Sequence, residues 1–273
     1  RSTLRATLDT TATASTPALS LAGTTGATSM PVGFGVAAAA VQAPAAVQTA
    51  CAGGPSAGCD TAAGASARAG QAGVPFAMTV TAALWTADGD GDLSDNPVAP
   101  SFAGTAALTP SLVGPVGGSA GSISAGSVTL AAGTGSAAAQ SWTQAGALRI
   151  VAAGTYLSRA VSGQSAVLGR FSPRNFTTTV TAQGCGTFTY SGQPIQAVAV
   201  RAMDAGTVPA PTPNYTGAFA RTVTLSDANG SASGVFSAHT AAGGSFAGGV
   251  ATLAPVYTFA TARTAPVSLV VRA

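Results

Sequence analysis

The chain contains no lysine and no glutamate, and its single histidine is His239. All 11 basic residues are arginine and all 8 acidic residues are aspartate. These absences exclude Schiff-base chemistry on lysine, glutamate acid–base pairs, histidine-rich metal sites and any nucleophilic triad not built on His239. Charged residues make up 7% of the chain, against about 25% in an average globular domain. The net charge is +3, but the arginines are dilute and form no run. A nucleic-acid-binding protein needs a basic patch, so that class is set aside. Long hydrophobic runs are also missing. The most apolar window, residues 30–47, is interrupted by Pro31 and Pro44 and has Phe34 as its one large aromatic. A membrane span needs about 20 strongly apolar residues, so no span is expected in this chain.

Helix signals are equally scarce. No stretch keeps apolar residues at helical spacing, and 35 glycines and 16 prolines punctuate the chain every few residues. Alternation of period two takes their place. Phe76, Met78, Val80, Ala82 and Leu84 fall on one face of a candidate strand. Phe176 to Ala182 reads as a threonine-rich strand. Gly186–Tyr190 and Ile195–Arg201 read as a hairpin across Ser191–Pro194. Gly217–Leu225, Gly249–Leu253 and Pro266–Arg272 continue the pattern. Alanine dominates the apolar content and buries little area. The cores should therefore be thin and anchored by the 10 Phe, 4 Tyr and 2 Trp, which suits sheets packed face to face. The expected fold is all-β, a tandem array of Ig-like antiparallel β-sandwich domains.

Boundaries are expected near Met30 and Gly169, where a proline lies close to a phenylalanine that opens a strand. Residues 1–29 then form an N-terminal extended segment, or the last strand of a preceding domain plus a linker. Residues 30–168 form a first sandwich and 169–273 a second. The chain begins at Arg1 without a signal-peptide pattern, which reads as a piece of something longer.

Cys51 and Cys59 bracket a short Gly/Pro loop and read as a disulfide, which implies an oxidising compartment. Cys185 stands alone, as a buried thiol or a bond to a segment outside this chain.

The order and spacing of several pieces between Ala72 and Ala220 resemble the MshQ-like proteins of the mannose-sensitive haemagglutinin pilus locus of Gram-negative bacteria. The most specific pieces are Gly169-Arg-Phe-Ser-Pro-Arg-Asn-Phe176, Phe188-Thr-Tyr-Ser-Gly-Gln-Pro194 and Asn214-Tyr-Thr-Gly-Ala-Phe-Ala220. The resemblance implies an extracytoplasmic, β-rich, pilus-associated protein with Ig-like domains, and it carries over no catalytic residues. Read as residues, the same motifs are structural. Phe171 and Phe176 plug the start of a sandwich. Tyr190 and Tyr215 pack their rings and hydrogen-bond their hydroxyls. Gly192 and Gly217 permit tight turns.

The sharpest chemical feature is the loop Asp88-Gly-Asp90-Gly-Asp92-Leu-Ser-Asp95-Asn96, which holds four of the eight acidic residues. Alternating aspartates are how a calcium loop presents oxygens. Leu93 stands where an EF-hand has glycine and no glutamate closes the loop, so the alternatives are a looser calcium site on Asp88, Asp90, Asp92 and Asp95, or a solvated turn. His239 has no serine elbow to serve and reads as a surface or hydrogen-bonded histidine. The glycine-rich pieces lack the lysine of a phosphate-binding loop. Asn175, Asn214 and Asn229 head N-x-Ser/Thr sequences.

The sequence therefore reads as a non-enzymatic structural or adhesive protein on the surface of a Gram-negative bacterium. It would be pilus-associated or the repeating body of an extracellular fibre. Expected partners are copies of itself or neighbouring domains, pilus components or surface glycans, and no cofactor is required. In a fibre, the segment from Arg1 to Leu21, with the small side chains of Thr10 to Thr16, would add as a strand to a neighbour's edge. The alternative is a calcium-dependent lectin-like module, using Trp85, Trp142 and calcium held by the Asp88 loop.

Overall fold

The computed structural model describes residues 2–9, 20–54, 58–61, 68–181, 189–227, 234–254, 256–262 and 269–272. Cys185, Asn229, Pro266 and the run Thr10 to Thr16 lie outside the described residues. The chain is all-β, with several sheets that are antiparallel apart from one short parallel pair.

Strands β1 (Ser2–Asp9) and β2 (Ser20–Ala27) pair antiparallel, from Ser2 opposite Ala27 to Asp9 opposite Ser20. Within the N-terminal segment, therefore, two strands pair with each other.

The first sandwich contains β3 (Gly33–Ala37), β4 (Gly70–Gln71), β5 (Phe76–Ala83), β6 (Gly104–Gly114), β7 (Ser127–Leu130), β8 (Thr134–Gln140), β9 (Gly146–Tyr156), β10 (Arg159–Gln164) and β11 (Leu168–Ser172). One sheet runs β3-β5-β8. The other runs β4-β11-β9-β6-β7, with β10 also paired to β9. The alternation in β5 works as its sequence requires: Phe76, Met78, Val80 and Ala82 are buried. Leu84 lies beyond the strand and is exposed. Its backbone N–H bonds Pro97 and leaves the ladder there. The sheets also meet at an edge, where β10 passes β3 so closely that a β-carbon at Gly163 would collide with the Phe34 carbonyl.

Alanine-rich strands leave space that aromatic rings fill. Phe34 and Phe102 meet edge-to-face at 5.7 Å, and Trp142 and Phe171 at 5.3 Å. Such pairs add about 0.5–1.5 kcal/mol each beyond their burial. A short helix, α1 (Ala45–Ala50), follows Pro44. It departs from the all-strand reading. Pro44 starts the helix and Cys51 ends it, too soon for any apolar periodicity to show.

The second sandwich contains β12 (Asn175–Thr181), β13 (Pro194–Ile195), β14 (Ala197–Met203), β15 (Val223–Asp227), β16 (Gly234–Phe236), β17 (Thr240–Ala241), β18 (Val250–Leu253), β19 (Tyr257–Phe259) and β20 (Leu269–Arg272). Its sheets run β12-β14-β18, β13-β19-β16 and β17-β15-β20. The expected strand Ile195–Arg201 divides. Ile195 pairs with Tyr257, while Ala197–Met203 pairs with β12 and β18. Parity explains the break: Ile195 is odd, yet Val198, Val200 and Ala202 must also face the core, and one strand cannot bury both sets. The expected strand Gly217–Leu225 also changes character. Gly217–Phe219 is a tight helical turn with φ of 54° at Gly217, and the strand begins at Val223.

The motif Gly169–Phe176 straddles the two sandwiches. Phe171 is buried in the first core and Phe176 packs against the second. Because β11 pairs with β9, the first sandwich continues through Ser172. Tyr215 is buried, with Arg221 N–H donating to its hydroxyl at 2.9 Å. Tyr190 is 56% exposed.

Candidate functional site

The acidic loop follows β5 and closes on itself. Trp85 Nε1 donates to Asp88 Oδ1 at 3.3 Å, and Thr86 Oγ1 to Asp90 Oδ2 at 3.0 Å. Asp92 N–H donates to Asp90 Oδ1 at 3.1 Å, while Ser94 donates to Asp92 Oδ1 through its N–H and its hydroxyl. Hydrogen bonds from the Asn96 amide, the Asp92 N–H and the Thr86 hydroxyl hold the Asp90 carboxyl below its ordinary value. Asp95 is exposed at the end of the loop. Among the described residues, no three His, Cys, Asp or Glu side chains converge as a metal-ligand group. Asp90 and Asp92 form consecutive Asx turns, each ordering the backbone two residues on.

The two tryptophans are separated in role. Trp85 is 62% exposed beside this loop, whereas Trp142 is fully buried and donates from Nε1 to the Ala120 carbonyl at 2.7 Å. Trp142 is therefore a core residue and not a sugar platform. His239 is exposed in the connection between β16 and β17, its ring 5.7 Å from that of Phe236. Asn214 is buried with its amide engaged, so it cannot accept a glycan, whereas Asn175 is exposed.

The larger concavity lies where the two sandwiches meet, and the Gly169–Phe176 motif, read from the sequence as structural, supplies much of its lining. It is a cleft of about 690 Å³ lined by Arg68, Arg170, Arg174 and Arg221, with Phe171, Phe176, Tyr215 and Phe219. Arg170 and Arg174 are neighbours in one motif, but Arg68 and Arg221 are 153 residues apart, so only the tertiary fold assembles all four. Arg170 is buried in β11. It donates from Nη2 to the Cys59 carbonyl at 2.7 Å, and its guanidinium sits 4.6 Å from the centre of the Phe219 ring. Burial lowers the Arg170 pKa; Asp60 opposes that shift and Arg221 adds to it. Asp60 in turn accepts the Val116 N–H on Oδ2 at 3.0 Å.

The floor of this cleft is tied to the disulfide. Cys51 and Cys59 are bonded and buried, and they form a small apolar cluster with Val47, Val113, Ala147 and Val167. Phe219, from the second sandwich, packs against that cluster. Polar contacts reinforce the joint. Asn214 accepts the Ser119 N–H at 2.8 Å and donates to the Ser119 carbonyl at 2.7 Å. Ala205 N–H bonds the Ala72 carbonyl at 2.9 Å, and Arg174 Nη1 donates to Gln71 Oε1 at 3.0 Å.

Comparison with known families agrees with a two-part chain. Residues 30–142 match the second domain of DUF6701 and residues 144–272 match its third domain. The division between them falls before β9, although β9, β10 and β11 complete the sheet of the first sandwich. No curated protein and no solved structure matches the chain. With these two consecutive domains covering all but its first 29 residues, Thr143 and Ala273, the chain belongs to the DUF6701 family.

Proposed function

We propose that the chain is a non-enzymatic structural and adhesive part of a bacterial cell-surface protein, with its two sandwiches acting as one stiff unit. The observation that carries this reading is the joint. A buried asparagine, a buried arginine and a phenylalanine seated on the disulfide cluster hold the sandwiches together. Interfaces between domains are otherwise polar and mobile by default. The disulfide favours an oxidising compartment. Among the described residues no helix is long and apolar enough to cross a membrane. The resemblance to MshQ-like proteins supports a pilus-associated setting, and Ig-like modules suit a load-bearing role.

Among the described residues β1 and β2 pair only with each other, and in a fibre their outer edges are where a neighbouring strand can add. The test is immunogold labelling of intact cells with antibody to this chain, followed by negative-stain microscopy of shed material. Label on surface structures is expected, and label confined to the cytosol overturns the reading. The lectin alternative loses Trp142 as a platform. What remains of it is calcium at the Asp88 loop, checked by whether calcium raises the melting temperature.

A further inference from the structure

We propose that the arginine-lined cleft between the sandwiches binds a carboxylated sugar, directly and without a metal ion. The first ground is charge. The cleft gathers four of the chain's eleven arginines. Asp60 lies close enough to Arg170 to act on its charge, but its own Oδ2 also serves the Val116 N–H. Arg221 is near enough to work against the charge on Arg170. A guanidinium fork matches a carboxylate with two parallel hydrogen bonds.

The second ground is the remainder of the lining. Gln71, Asn175 and Ser172 supply amide and hydroxyl groups, which suit a hydroxyl-bearing ring. Phe171, Phe176, Tyr215 and Phe219 supply apolar faces for its C–H edges. A volume of about 690 Å³ falls within the usual span of small-molecule pockets, and it accommodates an oligosaccharide end rather than a lone ion.

The third ground is preorganisation. Arg170 is fixed by the Cys59 carbonyl and the Phe219 ring, and Arg174 is steadied by Gln71. Side chains already ordered before binding cost little entropy when the ligand arrives. The Cys51–Cys59 bond holds the carbonyl that positions Arg170, so the site is coupled to the oxidised state of the chain.

This assignment is independent of the structural role proposed above and differs from the lectin alternative in place and chemistry. The experiment is isothermal titration of the full chain with trigalacturonate in excess EDTA, with galactotriose as the neutral control. Saturable binding of trigalacturonate that weakens with salt is expected, with none for galactotriose. Arg68→Gln and Arg221→Gln, at exposed positions on the cleft, should each weaken it about tenfold, as the loss of one charged hydrogen bond implies. Their melting temperatures should stay near that of the parent chain. Arg170→Gln is avoided because a buried change there could unfold the joint. Absence of binding, equal binding of galactotriose, binding unaffected by both variants, or full displacement by equimolar inorganic phosphate would each overturn the proposal.

Discussion

Replacing Asn214 with alanine tests the claim that the two sandwiches act as one unit. Asn214 is 1% exposed and belongs to the second sandwich, yet its side chain satisfies both backbone groups of Ser119 in the first. Alanine removes both bonds and leaves the Ser119 N–H and carbonyl facing an apolar methyl. A net hydrogen bond contributes about 0.5–1.5 kcal/mol, and a stranded buried group costs about 1–3 kcal/mol. Ser119 is itself exposed, so the lower part of each range applies. The expected loss is about 2–3 kcal/mol. At roughly 2–4 °C per kcal/mol for domains of 150–250 residues, the melting temperature should fall by about 4–12 °C. Differential scanning calorimetry should also show the single transition of the parent chain separating into two. Asn175→Ala, at an exposed strand start, is the control and should stay within about 0.5 kcal/mol. A drop in Asn214→Ala no larger than the control's, with a single transition retained, would refute the reasoning.

Three further outcomes follow from the same geometry. Reduction of Cys51–Cys59, which spans 8 residues, should cost about 2.5 kcal/mol by loop-closure entropy, read as a lower urea midpoint with dithiothreitol present. Gly163→Ala should destabilise the first sandwich by at least about 2 kcal/mol, because the new methyl meets the Phe34 carbonyl and forces β3 from β10; hydrogen exchange at Phe34 and Val36 would report it. Burial raises the Tyr215 pKa above its ordinary value of 10.0, although Arg221's N–H and charge partly offset this. The unfolded chain therefore gives up that proton first, so stability is full below pH 10.0 and falls as pH rises beyond it. Tyr215→Phe should remove that alkaline slope, measured by denaturation at several pH values.

Much of the strand content could be read from the chain because period-two alternation is local. Phe76, Met78, Val80 and Ala82 revealed their strand, as did the residues around Val250. The cysteine pairing was legible for the same reason, since a short Gly/Pro loop joins the two residues. Misreadings arose where the decision was not local. Ile195 looked continuous with Val198, but the strand had to break because two different sheets claim them. Trp142 looked like a surface platform because nothing near it in sequence shows that Phe171 and the Ala120 carbonyl enclose it. The Asp88 loop is a different case: its spacing is that of a cation site, and in the structure Asp88, Asp90 and Asp92 accept hydrogen bonds from their own loop.

The sequence by itself determined the all-β class, the scarcity of helix and the reliance on aromatic anchors. Each follows from composition and from contacts between residues close in the chain. Only the tertiary structure decided how the sandwiches join and where the arginines gather. Arg170 and Arg174 share one motif, but Arg68 and Arg221 share no local pattern with them, and Arg170 meets the segment after Tyr215 because that segment's Phe219 packs against the disulfide-braced cluster.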